Sequence, residues 1–354
     1  MVFDLGSWAI FAAVLLTVLS LSAYAMADDM TASDWFLVGE DLLEAGSYED
    51  AAAAYDEAIS MDPENGTLHL SKGDALYALA RAQGFDPRTL EEAIAAYEEA
   101  IRLDPASAMA RLGKGRALSL ASNALVGDER VSGKKEALSA VEMAIDLDPV
   151  FFDAWVLRGT LLDELAALTG DLSGYNQSLS AYERAIDLAP FGDARSLALA
   201  WDGKAAALST LANGLAAAGD SEGAAEMYER AVAAYDEAIE LDPDFAGLEA
   251  RLNRASVLAG LGRYERSIEA YDQAAEAAPG DLKAYVSLVF VEKAGVLLEM
   301  GEEELALESL DAATFADPGN AAAWTRKGDL LSALGRGSEA EAARARARGV
   351  EEKG

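Results

Sequence analysis

Seven of the chain's eight prolines recur at intervals of 36 to 53 residues: Pro63, Pro105, Pro149, Pro190, Pro243, Pro279 and Pro318. Each closes a version of one phrase, Ala-x-x-x-Tyr-x-x-Ala-(Ile)-x-x-(Asp)-Pro, as in Ala51–Tyr55–Ala58–Pro63 and Ala93–Tyr97–Ala100–Pro105. The residue before a proline is pushed out of the helical region, so each phrase reads as a helix that stops at its Asp-Pro step. Units repeated at such a period cannot bury their apolar faces alone and do so by stacking on their neighbours. The eighth proline, Pro87, falls in an insertion.

Composition narrows the chemistry. There is no cysteine, which removes disulfides, thiolate catalysis and cysteine-based metal sites. The one histidine, His69, cannot form a histidine pair within the chain. Sixty-two acidic residues against 28 basic ones give a net charge of −34, which opposes binding to nucleic acid phosphates. Two readings of the acidity are open: a hydrated, solubilising coat, and recognition of a cationic partner.

The first 27 residues differ in kind. Leu5–Ala27 holds no charged residue, and its most apolar part is Trp8–Leu21. Ala25-x-Ala27 followed by Asp28-Asp29 suits cleavage of an export signal, although Asp4 is the only charge before it. An uncharged stretch of this length also reaches the roughly 20 residues a membrane-spanning helix needs. Signal peptide, retained membrane anchor and buried capping helix all remain open. Both of the first two place the acidic array outside the cytoplasmic membrane, since no basic residue closely follows the segment.

The first repeat reads Trp35, Val38, Gly39, Leu42, Gly46, Tyr48, Ala51, Tyr55, Ala58, Pro63. This resembles the tetratricopeptide repeat (TPR), whose pattern is Trp-x-x-Leu-Gly-x-x-Tyr on helix A and Ala-x-x-x-Phe then Pro on helix B. Val38, Leu42 and Tyr55 depart conservatively from the family's leucine, tyrosine and phenylalanine. Seven further repeats follow, and the resemblance spans about Ala32 to Arg348. Small residues are expected where helices A and B cross: Gly39 with Ala51, Gly73 with Ala93, Gly115 with Ala137, Gly159 with Ser178, Gly203 with Ala231, Ala255 with Ser267, Ala294 with Ala306, and Gly328 with Ala340. The bulky helix-B position is Tyr55, Tyr97, Val141, Tyr182, Tyr235, Tyr271 and Leu310 in turn, and Arg344 in the last repeat. Gly46 permits the left-handed backbone that closes a helix. The expected fold is an all-α, right-handed superhelical α-solenoid of antiparallel helix hairpins over residues 28–348, preceded by the apolar segment 1–27 and followed by a polar tail, 349–354.

Repeats two to four carry 8, 10 and 7 extra residues between their helices, around Gly84–Thr89, Gly127–Lys134 and Gly170–Tyr175. Growing both arms of a hairpin together adds about one turn to each, so taller hairpins are expected, with longer loops the alternative. In the fifth repeat Ala224, Tyr228, Ala231, Tyr235 and Ala238 fit the helix-B phrase in two frames, which predicts one long helix B with two docking turns. The polar, Arg-rich end of the last repeat suits a terminal cap, or a small basic docking site.

In TPR proteins ligands usually lie in a concave groove lined by helix A. Carried over position by position, the resemblance implies an apolar groove row of Phe36, Leu70, Leu112, Val156, Leu252 and Val291. A second, polar row one turn on holds Glu40, Asp74, Arg116, Thr160, Lys204, Ser256 and Asp329. Such rows suit an extended peptide or an amphipathic helix; packing against the protein's own lengthened hairpins is the other reading. The family's carboxylate clamp needs Lys and Asn where this chain has Phe36, Leu70 and Leu112, so capture of chaperone tails is not expected. Lys72, Lys114, Arg158, Arg254, Lys293 and Lys327 form a ladder just before the crossing residues, expected to pair with acids of adjacent helices. No phosphate-binding loop, metal cluster, cofactor motif or Ser/His/Asp set is present. The resulting expectation is a non-enzymatic, exported or membrane-anchored scaffold for a protein or peptide partner. A self-assembling envelope component and an acid-pair hydrolase are the alternatives.

Overall fold

The computed structural model describes residues 30–189, 192–244 and 246–352. The apolar segment 1–27 and Pro190 lie outside the described residues. Those described form sixteen α-helices and one short 3-10 turn, with no β-strand among them. The helices are α1 (Ala32–Glu44), α2 (Tyr48–Met61), α3 (Gly66–Ala82), α4 (Pro87–Leu103), α5 (Ala108–Ala121), α6 (Gly127–Leu147), α7 (Phe152–Thr169) and α8 (Leu172–Leu188). They continue with α9 (Ala194–Ala217), α10 (Ser221–Leu241), α11 (Ala246–Gly260), α12 (Tyr264–Ala277), α13 (Lys283–Glu299), α14 (Glu303–Ala316), α15 (Ala321–Ala333) and α16 (Gly337–Glu351). Odd-numbered helices are the A arms and even-numbered helices the B arms of eight consecutive hairpins. The chain divides into two compact units, Met1–Pro149 and Val150–Gly354. Within each, a hairpin packs on the next as a TPR-like solenoid does.

Local backbone chemistry sets the ends of the arms. Gly46, Gly84, Gly219, Gly262, Gly301 and Gly335 all take positive φ just past an A helix. At Gly46 the paired bonds are Gly46 N–H to Leu43 O (3.1 Å) and Ser47 N–H to Leu42 O (2.9 Å), a Schellman closure, and the other five repeat it. The B helices stop at the Asp-Pro step. Asp62, Asp104, Asp148, Asp242 and Asp317 sit at φ between −128° and −139° and ψ between 73° and 95°, outside the helical region. Asn65, Ser107 and Asn320 then cap the next A helix by accepting from a first-turn N–H.

The extra residues are helical. The second hairpin has two arms of 17 residues, against 13 and 14 in the first. In the third, growth is uneven. α5 has 14 residues and α6 has 21, and the turn lies at Ser122–Val126, so Gly127–Lys134 is the first part of α6 rather than the hairpin tip. Lys134 has no exposed surface and donates to Ser119 O (2.9 Å) and Ser119 Oγ (3.1 Å), which clamps the end of α5 to α6. The fifth hairpin is the tallest, with arms of 24 and 21 residues, and buries both Tyr228 and Tyr235 on α10.

Candidate functional site: the helix-A face and its tyrosines

A buried helix-B tyrosine, Tyr55, Tyr97, Tyr182, Tyr235 or Tyr271, organises the packing in five of the hairpins. The Tyr97 ring lies between Gly73 of its own hairpin and Gly113 of the next; a Cβ at Gly73 would stand 2.7 Å from it, and one at Gly113 would be closer still. Tyr182 lies in the same way between Gly159 and Gly203, with distances of 2.8 and 2.6 Å for a Cβ at each. The small residues are therefore needed for the ring, which fills the space their side chains would take. Gly115 meets Val141 instead, and Gly328 meets the Arg344 stem that replaces the tyrosine.

These contacts correct the register of the fifth repeat. Gly203 faces the tyrosine of the preceding hairpin, which is the relation of Gly113 to Tyr97, two residues before the crossing residue Gly115. The crossing residue of α9 is thus Ala205, fully buried, and not Gly203. Lys204 confirms the shift. It reaches Glu183 at 3.1 Å, as Lys72 reaches Asp56 (2.6 Å) and Lys114 reaches Glu98 (2.7 Å). Arg254–Asp236, Lys293–Asp272 and Lys327–Asp311 continue the series at 2.5–2.7 Å. In each pair the acid directly follows the bulky helix-B residue of the preceding hairpin, so the ladder ties neighbours together. Lys204 belongs to it and is not a groove residue. Trp201 carried the signal: Trp201–Lys204–Ala205 has the spacing of Trp155–Arg158–Gly159 and Trp324–Lys327–Gly328, and in all three the cation lies over the indole, at 4.9–5.7 Å.

Other A-helix stations have equally definite tasks. The Trp35 station becomes His69, Arg251 and Trp324 in later repeats. Each bonds the carbonyl of the preceding turn proline: Pro63 at 3.0 Å, Pro243 at 2.6 Å and Pro318 at 3.1 Å. The lone histidine is therefore a structural tie.

The polar row sits one residue after the crossing and serves the tyrosine hydroxyls. Glu40 accepts from Tyr55, Asp74 accepts from Tyr97 at 2.7 Å, and Thr160 lies 3.2 Å from the Tyr182 hydroxyl. Ser256 lies close enough to the Tyr271 hydroxyl to oppose the rise of its pKa. Asp329 accepts from Arg344 at 2.9 Å, so the last repeat keeps the link with the polarity reversed. Arg116 lies beside Asp74; burial raises the Asp74 pKa, while the Tyr97 bond and the Arg116 charge oppose the rise.

The apolar row divides. Leu112 and Val291 are only 2% and 3% exposed and belong to the core, which removes them from any docking surface. Phe36, Leu70, Val156 and Leu252 are half-buried, packed against the core on one side and open on the other. In α9 the row is continued by Asp202, three residues before Ala205. Burial there pushes the Asp202 carboxyl up to about 6, with the Glu249 charge adding to it, and its Oδ1 has no hydrogen-bond partner.

Two clefts open on this face. One, of about 230 Å³, lies beside Phe36 in the first unit, between α1 and the start of α3. The other, of about 290 Å³, lies in the second unit between α9, α11 and α13, over Tyr228 and Tyr271. The sequence reading missed the second cleft entirely. Among the described residues no cluster of three or more His, Asp or Glu side chains suits a metal ion, and no helix is long and apolar enough to cross a membrane.

The tetratricopeptide repeat family model matches residues 38–85, 88–124, 209–281 and 292–350, more than half of the chain. The chain belongs to the tetratricopeptide repeat family. A TPR protein from Parabacteroides merdae is similar in fold, with a TM-score of 0.52 and 15% identity, over 85% of this chain and 97% of that one. A thermophilic TPR protein of Thermus thermophilus aligns with a TM-score of 0.43 and 16% identity, over 65% of this chain and all of the other. No curated protein sequence matches the chain. The TPR fold is that of a protein–protein interaction scaffold, and its members generally do no catalysis.

Proposed function

We propose that the protein is a non-catalytic scaffold, exported or held at a membrane by residues 1–27, that binds a protein or peptide segment on its helix-A face. The observation that carries this reading is the half-buried apolar row. Phe36 and Leu70 on consecutive hairpins of one unit, and Val156 and Leu252 on alternate hairpins of the other, stand at one station and leave part of each side chain open to solvent. A side chain repeated at hairpin spacing offers successive footholds to an extended chain, and apolar area covered there contributes about 25 cal/mol per Å². Leu112 and Val291 support the row from within the core and do not contact the partner.

The test is selection of a random peptide display library on the full-length chain. Enrichment of a related set of peptides is expected, and its loss in Phe36→Asp or Leu252→Asp variants that keep the wild-type melting curve places the contact on this face. A library that yields no enrichment overturns the scaffold reading. Location is tested by fractionating native cells and sequencing the protein's N-terminus. A start at Met26 or Asp28 is expected for a cleaved signal, and an intact N-terminus in membranes for an anchor. A soluble cytoplasmic pool beginning at Met1 refutes both.

A further inference from the structure

On α13 two stations change together. The station after the crossing residue, which holds Glu40, Asp74, Thr160 and Ser256 elsewhere, holds Gly295, where an added Cβ would meet nothing within 4 Å. The station facing the preceding tyrosine, which holds Ser71, Gly113, Gly203 and Asn253 elsewhere, holds Glu292. The extra turn of α10 supplies a second tyrosine, Tyr228, whose hydroxyl donates to Asn213 Oδ1. The result is the cleft of about 290 Å³, which Tyr228 and Tyr271 line together with Asn213, Ser256, Glu292 and Glu299.

The cleft is rich in acceptors and negative. Glu292 and Glu299 lie seven residues apart, two turns on one face of α13. Glu292 has a loose partner in Arg326 at 3.6 Å, and Glu299 has no ion-pair partner among the described residues. No lysine or arginine lines the cleft. Lys293, the neighbour on α13, is directed at Asp272, 2.5 Å away. Burial, and after it the Glu292 charge, push the Tyr271 hydroxyl up to about 12; the nearby Ser256 hydroxyl opposes this and Glu299 adds to it.

We propose that this cleft receives one arginine or lysine side chain of the bound segment. The proposal rests on the peptide-scaffold reading and specifies its partner. A guanidinium or ammonium group carries donors only, and the cleft offers carboxylate, amide and hydroxyl oxygens. Aromatic rings beside it attract a cation further. Its volume lies at the lower limit of the ~300–1,000 Å³ typical of whole-ligand pockets, which suits a single side chain. The net charge of −34 draws a basic segment in from a distance. An acidic side chain would face two carboxylates there, offset only by the loose Arg326 contact of Glu292.

The experiment is the same peptide selection, run in parallel on full-length wild type, Glu292→Gln/Glu299→Gln and Gly295→Phe. Glutamine removes charge and keeps shape. Phenylalanine fills the cleft and keeps both charges, in a helix where glycine is the poorest non-proline residue. Wild-type peptides should share a fixed arginine or lysine. A blocked synthetic copy of the best peptide should bind each variant at least about tenfold more weakly, and replacing its fixed basic residue by norleucine should cost as much in wild type and little in the variants. Peptides without a fixed basic residue overturn the proposal and leave the scaffold reading standing. Weakening by Glu292→Gln/Glu299→Gln with none by Gly295→Phe also overturns it, because the acidic surface alone then explains the attraction. No enriched peptide at all defeats the scaffold reading itself.

Discussion

Replacing Gly203 and Gly295 by alanine should have opposite effects on stability, although both lie inside A helices of the second unit. In a helix interior, alanine is favoured over glycine by about 1 kcal/mol, and this gain applies to both sites. At Gly295 nothing opposes it, since the new Cβ meets no atom within 4 Å. At Gly203 the Cβ would lie 2.6 Å from Tyr182 Cε1 and 2.7 Å from Cζ. Carbon atoms pack best at ~3.5–4.0 Å, so the ring must retreat by about an ångström. It has little room to do so, because its other side lies against the Gly159 backbone, where even a single added Cβ would stand 2.8 Å from the ring. Overpacking of this kind costs ~1–3 kcal/mol, and a ring held on both sides belongs near the upper end. The expected net effects are a loss of about 2 kcal/mol for Gly203→Ala and a gain of about 1 kcal/mol for Gly295→Ala. Repeat arrays need not unfold in one step, so native-state hydrogen exchange on α9 and α13 is the better assay, with urea midpoints beside it. In a Tyr182→Leu background the penalty at Gly203 should shrink to near zero, a coupling of ~1–3 kcal/mol. Equal effects at the two sites, or a penalty at Gly203 that persists without the tyrosine, would refute the account of the glycines as space for the ring.

Two further outcomes follow from burial. Asp163 accepts from Ser178, and burial pushes its carboxyl up to about 7, with the Glu164 charge adding and the Ser178 and Tyr182 bonds opposing. The folded chain therefore keeps this proton to higher pH than the unfolded chain, which releases it near 3.8. Its stabilising contribution is complete below about pH 4, falls as pH rises to about 7, and is flat above that. Asp163→Asn should match wild type in acid and exceed it at pH 8; a difference that does not change between pH 4 and 8 would contradict the buried, protonated carboxyl. On α5, Leu112→Glu should cost more unfolding free energy than the ~2–5 kcal/mol of a leucine-to-alanine truncation, read as a lowered urea midpoint, because it also buries a charge. Met109→Glu, on the same helix at 60% exposure, should leave the midpoint nearly unchanged.

The parts of this fold legible in the sequence are those set by local backbone chemistry. Gly46 and its counterparts, and the Asp-Pro steps, mark helix ends because only certain residues tolerate those φ and ψ values. The doubled phrase on α10 announced two buried tyrosines because one helix face must show its period. The register of α9 was harder to read, because Gly203 and Ala205 are both small and lie two residues apart. Composition at one station could not separate them, whereas the Trp201–Lys204 spacing does. Burial of Leu112 and Val291 was not legible, since the same station holds half-open Phe36 and Leu70, and residue type alone does not separate them. The cleft over Tyr271 was the least visible feature, because part of it is made by a side chain that Gly295 lacks.

Gly295 is tolerated for a reason that also explains the varied polar row. A buried tyrosine hydroxyl without a partner costs ~1–3 kcal/mol, so each tyrosine needs a polar group nearby. Tyr55, Tyr97 and Tyr182 meet one on the A helix of their own hairpin, in Glu40, Asp74 and Thr160, and Tyr271 has the Ser256 hydroxyl nearby. Tyr235 is matched on the A helix of its own hairpin by Ala206, which offers nothing, and has Asn253 of the next hairpin nearby instead. Arg344 brings donors and meets Asp329. In the seventh hairpin the bulky residue is Leu310, which has no hydroxyl to satisfy. The station opposite is thereby released from structural duty, and glycine can occupy it without leaving a buried donor unpaired. The opening over Tyr271 thus sits where the repeat's internal chemistry asks for no side chain. The two glutamates of α13 border that opening, and neither serves a tyrosine of its own hairpin. Residues free of the packing rule are the ones a binding function can claim without weakening the stack.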